Sequence, residues 1–381
     1  MKRILPRVLQ ITVMGTGALL VVAALAANQN WLDRHFLPLF FFSREKTVLQ
    51  ESLVRFFVGL AGLGFVLAGP AVHRLTQRMP ARAIVAALAR IGLAVGLALG
   101  AAELFLAHKF VYAAAEATHE EPRRRPDPQL GWTFVPSRLG QATVGGRNIV
   151  YTIDAHGYRV SRVGAPVAPN IPTILFTGES IMAGYGLTWD ESIAAQVAGR
   201  MKIQSANIAV FGYATDQSYL RLKTELPRFR NPVAVVSLFT PALFTRNLGD
   251  DRPYLDPHLD PHPAIHRWRL SSLFRFLIPY HSDAEIERGI QATRAVLAAT
   301  AALARERHAM ALVVDPQFGP EQPAERMLRQ RILDETGISY VRVDLDPSWR
   351  LKGDLHPGPR AARAIAAAIV QRLRPQGVPG L

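Results

Sequence analysis

Thr173-Ile174-Leu175-Phe176-Thr177-Gly178-Glu179-Ser180 is the stretch on which the reading of this chain turns. A short apolar run of strand-forming residues ends abruptly in Gly-Glu-Ser, and Ser192 to Met201 then reads as a helix. The stretch predicts a buried strand running through a turn into helix, the geometry that exposes a hydroxyl. Further strands are predicted at 206–211 (ending in Gly212), 234–240, 311–314 and 340–343, and further helices at 288–308 and 360–373. Strands that alternate with helices and read as continuous apolar runs predict an α/β domain, a three-layer arrangement with a parallel sheet covered on both faces. Short β-type pieces such as 149–153 precede this pattern, with Gly145-Gly146 and Gly157 as turn signals. In such sheets the working groups lie just past the C-terminal ends of the strands. That singles out Gly178-Glu179-Ser180, Gly212-Tyr213 and the stretch after Thr240.

N-terminal to the domain the composition changes. Residues 8–27, 56–72 and 91–107 are long apolar runs, the third interrupted only by Glu103. A run of about 20 such residues crosses a hydrocarbon core of about 30 Å. Lys2, Arg3 and Arg7 precede the first run, which is either a true span or a cleaved leader ending near Ala24-Leu25-Ala26. Arg74, Arg78 and Arg82 place the loop between the second and third runs in the cytoplasm. Either choice for the first run leaves everything after Ala107 outside the cytoplasm. Glu103, just before His108 and Lys109, reads as an interfacial residue or as a functional intramembrane acid. The Pro-broken aromatic cluster 36–42, with Trp31, suits a membrane interface. The chain therefore divides into a membrane region at 1–110, a polar linker at 111–128 and an extracytoplasmic domain at 129–381.

Composition fits that division. Of 381 residues, 49% are apolar and 19% charged, and the net charge is +14. No aromatic–basic interleaving accompanies the charge, so the basic balance is read as contact with anionic lipid and not with nucleic acid. The chain has no cysteine, which excludes disulfides and thiolate chemistry. His258, His262 and His266 lie among Asp250, Asp251, Asp256 and Asp260. The prolines between them oppose a helical metal-binding face, so an exposed loop is expected, and neither metal nor cofactor is assigned.

A serine hydroxyl becomes nucleophilic when a base takes its proton, usually a histidine oriented by a carboxylate. Gly353-Asp354-Leu355-His356-Pro357, just before the last helix, offers both groups on one short loop. With these residues in view, the soluble half resembles the SGNH (GDSL-type) hydrolases. The resemblance rests on Phe176-Thr177-Gly178-Glu179-Ser180 with Gly184-Tyr185-Gly186, and on Asn207 to Tyr213 with Thr215, Gln217 and Tyr219. It also rests on Asp354-Leu355-His356-Pro357, and on the approach segment Asp127, Leu130-Gly131-Trp132, Pro136 and Asp154-x-x-Gly157-Tyr158-Arg159, which is similar to members with an N-terminal membrane anchor. Glu179 stands where Asp is commoner.

The resemblance implies a membrane-anchored ester hydrolase. Ser180 would be the nucleophile, His356 the base and Asp354 its orienting acid. The backbone N–H groups of Ser180 and Gly212 would meet the oxyanion. The family's third block carries an Asn donor, but Ala242 and Leu243 stand at the Asn and Asp places, with Thr240 or Asn247 as substitutes. The Asp-x-His spacing is also one residue shorter than usual. The expected substrate is an O-acyl ester, such as an acetyl ester, on a lipid or envelope glycan. Two other readings remain: acyl transfer to a cell-surface glycan, which would need a membrane partner protein, and a degenerate domain that binds or assembles. Phe274, Leu277, Ile278 and Tyr280, with Phe276, are expected to pack in the core or to line an acyl or membrane-facing groove. Arg123-Arg124-Arg125 is expected as solvated linker or lipid-phosphate contact.

Overall fold

The computed structural model describes residues 4–37, 40, 44–117, 121–265 and 267–374. Lys2, Arg3, His119, His266 and most of the 36–42 cluster lie outside them. The chain forms two compact units, the first built from 1–36, 42–111 and 268–280, the second from 37–41, 112–267 and 281–381.

The first unit is helical. It contains α1 (Ile4–Ala26), α2 (Gln29–His35), α3 (Arg44–Gln77) and most of α4 (Ala81–Ala117). Three of these helices are long and apolar enough to cross a membrane. All three run past the apolar limits visible in the sequence, because a helix satisfies its own backbone and need not stop where the apolar residues do. α1 and α3 cross at Gly17 and Gly62, where a Cβ on Gly62 would lie 2.7 Å from the Gly17 carbonyl oxygen. Small residues at such a crossing let two backbones approach closely. The Asn28 side chain caps α2 by accepting the Trp31 N–H, and Arg44 at the start of α3 pairs with Asp33 at 2.7 Å.

The second unit is a three-layer α/β domain. A two-stranded ribbon, β1 (Arg124–Asp127) and β2 (Gly131–Phe134), leads into a mixed sheet. The sheet's first strands are β3 (Arg138–Val144), β4 (Arg147–Ile153) and β5 (Arg159–Val160), with β3 and β4 joined by a two-residue turn at Gly145-Gly146. β6 (Thr173–Thr177) then leads through α5 (Ser180–Ala183) and α6 (Ile193–Met201) to β7 (Gln204–Asn207). α7 (Thr215–Glu225) and β8 (Pro232–Leu238) follow, then a small hairpin of β9 (Tyr254–Leu255) and β10 (Pro261–His262). α8 (Arg269–Leu277) belongs to the first unit. The chain returns with α9 (Asp283–Glu306), β11 (Met310–Phe318), α10 (Pro323–Ile332), β12 (Tyr340–Leu345) and α11 (Pro359–Leu373).

The strand order is β12-β11-β8-β6-β7-β5-β4-β3. The first five strands are parallel, as the sequence predicts, and β5, β4 and β3 extend the sheet in antiparallel fashion. The short β-type pieces before the alternating pattern thus supply the antiparallel edge of a mixed sheet. β3 and the first part of β4 alternate between more and less exposed residues, the pattern of a sheet wetted on one face, whereas 151–153 and β5 are buried throughout. β6 is buried at all five positions because helices cover both its faces. On one side Ile193, Val197 and Met201 of α6 pack with Ile365 and Ile369 of α11. On the other, Leu222 of α7 and Ala304 of α9 pack under the sheet, and Ile290, Leu297 and Leu328 continue that layer.

The segment 111–128, read from sequence as a linker, holds the last turns of α4 and strand β1. β1 forms because β2 offers it a full antiparallel partner, from Arg124 opposite Phe134 to Asp127 opposite Gly131. The predicted strand at 206–211 stops as a strand at Asn207. Ile208 and Val210 still donate to the Phe176 and Gly178 carbonyls, so the backbone stays beside the end of β6.

Candidate active site

Ser180 is the first residue of α5, just beyond the C-terminal end of β6. His356 reaches it from the loop between β12 and α11, with Nε2 2.8 Å from Ser180 Oγ. Asp354 Oδ1 lies 2.6 Å from His356 Nδ1 and also accepts the His356 backbone N–H at 2.9 Å. The short Asp-x-His spacing thus works by folding the loop on itself. The loop is held shut by Leu351 N–H donating to the His356 carbonyl and Asp354 N–H donating to the Leu351 carbonyl. The hydrogen bond from His356 holds the Asp354 carboxyl below the usual carboxylate range, against the opposing effect of burial. The Tyr185 ring lies against the imidazole, with centroids 4.3 Å apart.

Glu179 has two tasks. Its Oε1 accepts the Ile181 N–H at 2.9 Å and caps α5. Its Oε2 lies 2.5 Å from Ser180 Oγ and 3.1 Å from Arg246 Nη1. A hydroxyl has one proton to give, so Glu179 and His356 compete for it. The longer Glu, in place of the commoner Asp, still spans from the α5 backbone to the hydroxyl.

Arg159 carries the other end of α5. It is fully buried, and its guanidinium donates to the carbonyls of Ala183 at 2.7 Å, Gly184 at 2.6 Å and Leu187 at 2.5 Å. Burial lowers its pKa to about 10. A cation at these carbonyls suits the negative end of α5 and fixes the Gly184-Tyr185-Gly186 loop that presents Tyr185 to His356. Asn207 adds a bond from Nδ2 to the Met182 carbonyl at 3.0 Å.

Gly212 lines the same cleft as Ser180 and His356, along with Tyr185, Arg124, Gln141 and Arg246. It has φ +81°, and a Cβ there would stand 3.2 Å from the Trp132 ring. Trp132 is fixed by its own indole N–H, which donates to the Phe211 carbonyl at 2.9 Å, and by its carbonyl, which accepts from the Tyr213 hydroxyl at 2.7 Å. Gly212→Ala must therefore move the loop, and with it the N–H expected to face an oxyanion. Loss of one such donor typically costs about 10²–10³ in turnover. A fall in kcat of that size, with Tm little changed, is expected in steady-state assays.

The third block departs from expectation. Ala242 is turned into the core, and its carbonyl accepts the Phe40 N–H at 2.9 Å. Asn247 is no substitute donor: its Oδ1 accepts the Thr215 N–H and its Nδ2 donates to Thr293 Oγ1, tying the segment to α7 and α9. Thr240 is buried outside the lining of the Ser180 cleft, beside Asp315. The cation that does line the cleft from this block is Arg246. Arg124 joins it there, so this member of the Arg123-Arg124-Arg125 run sits on strand β1 and lines the cleft. The sequence alone singles out neither Arg246 nor Arg124 as a cleft residue.

Asp315 is buried on β11, and burial pushes its pKa up to about 7, with Arg342 and Thr240 pulling the other way. An unfolded Asp titrates near ~3.9. The native state therefore carries no penalty below that pH and a full one above about 7, on the order of a few kcal/mol. Asp315→Asn is expected to raise Tm at pH 8 and to do so far less at pH 5, a difference that calorimetry reads directly.

In the His/Asp-rich stretch, among the described residues, no group of three or more candidate metal ligands converges. His262 Nε2 lies 3.1 Å from Asp256 Oδ2, and its ring stacks on Tyr254.

No family model matches the chain, and no curated protein matches it. Solved structures similar to it include an acetyl xylan esterase from the rumen bacterium Butyrivibrio proteoclasticus, at 12% identity and TM-score 0.34, covering 56% of this chain and 65% of that one. The chain thus spans just under two thirds of that esterase. A carbohydrate acetylesterase family member from Sinorhizobium meliloti is similar at 12% identity and TM-score 0.35, covering 54% of this chain and 98% of that one. A member of the lipolytic G-D-S-L family from Veillonella parvula is similar at 10% identity and TM-score 0.32, covering 52% and 97%. Two of these neighbours are named as an acetyl xylan esterase and a carbohydrate acetylesterase family member, and the third as a lipolytic protein of the G-D-S-L family.

Proposed function

We propose that this protein is a membrane-tethered serine ester hydrolase whose catalytic unit works outside the cytoplasm, on O-acyl esters of a lipid or envelope glycan. The observation that carries the proposal is the continuous path from Ser180 Oγ to His356 Nε2 at 2.8 Å and from His356 Nδ1 to Asp354 at 2.6 Å. His356 takes the hydroxyl proton as Ser180 attacks the acyl carbon, and returns it to the leaving alcohol. Water, activated by the same imidazole, then releases the acid. Asp354 holds the Nδ1 proton and stabilises the imidazolium.

The N–H groups of Ser180 and Gly212 meet the oxyanion. Arg246 takes the corner where the family's Asn is missing, because its guanidinium lines the cleft and is steadied by Glu179. A charged donor is worth roughly twice a neutral one, which offsets a less fixed geometry. The Arg74, Arg78 and Arg82 loop supports the outward placement of the catalytic unit.

Labelling of the purified full chain with a fluorophosphonate, followed by peptide mapping, tests the reading. The adduct is expected on Ser180, with concurrent loss of p-nitrophenyl acetate hydrolysis. An unlabelled Ser180 in protein that binds no acyl ester would refute it. Product analysis with a glycan acceptor separates hydrolysis from transfer.

A further inference from the structure

α8 is amphipathic: Leu270, Leu273, Phe274 and Leu277 recur at helical spacing along one stripe. The stripe is not core. Trp268 is 73% exposed, Phe274 58%, Leu277 51% and Ile278 48%. α8 also lies in the compact unit that holds the three long apolar helices, although the chain on either side of it, through Arg267 and from His281, belongs to the catalytic unit.

Its attachment within that unit is specific. Glu103 of α4 accepts the backbone N–H groups of Arg269 and Leu270, each at 2.7 Å, one on each carboxylate oxygen. A carboxylate near the end of an apolar span and the bare N–H groups of a helix start are each costly in lipid, and here each satisfies the other. Glu103 precedes Lys109, the end of its apolar span, by six residues, or roughly 9 Å at 1.5 Å per residue. α8 thus begins close to the depth where the span ends. Beyond α8, Tyr280 stacks on Trp31 with centroids 5.8 Å apart and packs beside His35 and Phe36. Trp, Tyr and Arg beside an apolar stripe are the residues that settle at a bilayer interface.

We propose that α8 is an interfacial membrane helix, with its Phe274–Leu277 stripe in the headgroup–acyl boundary of the leaflet where α4 ends. It adds an interfacial contact to the transmembrane ones, docked through Glu103 on the span of α4. The inference rests on the membrane reading of the first unit. It sets the substrate class as esters presented at the lipid surface.

The chain has no cysteine, so single labels are unambiguous. Phe274→Cys and Leu277→Cys, each in the full chain, are labelled with bimane and placed in nanodiscs of phosphatidylcholine and phosphatidylglycerol. Some discs carry lipids spin-labelled high on the acyl chain. Leu19→Cys on α1 serves as the membrane control and Ala155→Cys, in an exposed turn, as the aqueous one. At both α8 positions lipid-borne quenching is expected to exceed that at position 155 by roughly twofold or more, with matching protection from aqueous iodide. Iodide quenching without lipid quenching at α8 would overturn the inference. So would shielding from both quenchers, which would mean that protein covers the stripe. If position 19 is lipid-quenched in either case, the membrane reading stands and only α8 fails; if position 19 is not, both fail. Fluorophosphonate labelling of the same samples reports the esterase reading separately.

Discussion

Ser180→Ala is expected to lower kcat for ester hydrolysis by roughly 10⁵–10⁶-fold while leaving Tm nearly unchanged. Ser180 Oγ lies against His356 Nε2, and with no cysteine in the chain no thiolate can stand in. The loss to the fold is small, because Glu179 keeps its bonds to the Ile181 N–H and to Arg246. His356→Ala should be comparably inactive. The double variant should be no worse than either single one, since base and nucleophile act as a unit. Steady-state rates on a short acyl ester, paired with thermal melts, check this. Hydrolysis within tenfold of wild type in Ser180→Ala would leave the site without its nucleophile.

Asp354→Asn is the second large effect, an expected loss of about 10³–10⁴ in kcat. One oxygen of Asp354 accepts both the imidazole Nδ1–H and the backbone N–H of His356. An amide can turn its NH2 toward the imidazole, which shifts the ring proton to Nε2. That nitrogen then cannot accept from Ser180. The wild-type carboxyl titrates below its ordinary range, so its contribution is present above the unfolded value of ~3.9 and is lost only as pH falls through the lower folded one. Asp354 therefore stays ionised across the range where imidazole titrates. Activity lost in Asp354→Asn should not return at any pH between 5 and 9. A full pH–rate profile tests this, and a variant within tenfold of wild type would pass the orienting role to Tyr185.

The α/β pattern and the meeting of Ser180, His356 and Asp354 were legible because each segment involved carries short-range signals. An apolar run ending in Gly-Glu-Ser must bury itself and turn, and Asp-x-His before a helix must form a loop. The rest depended on partners far away in the chain. Arg159 belongs to the approach segment in the sequence, but its task is invisible there until the carbonyls of 183–187 close on it. Arg124 reads as linker until β2 pairs its strand. Phe274 and Leu277 have the periodicity of a core helix, and periodicity reports that a face avoids water without reporting what covers it. The third block misled for another reason. Thr240 and Asn247 carry the right atoms for an oxyanion donor, but Asn247 is held by Thr215 and Thr293 and Thr240 is buried beside Asp315.

The buried guanidinium of Arg159 bears on how the catalytic unit can be trimmed. A fragment starting just after Val160 would retain every residue of the three SGNH-like blocks and pass any motif test. It would lack Arg159, which gathers the carbonyls of Ala183, Gly184 and Leu187, along with Trp132 behind Gly212. The shortest piece that keeps a working hydroxyl is thus set by the strands that come before it, and excision from the membrane has to be made upstream of the β1–β2 ribbon.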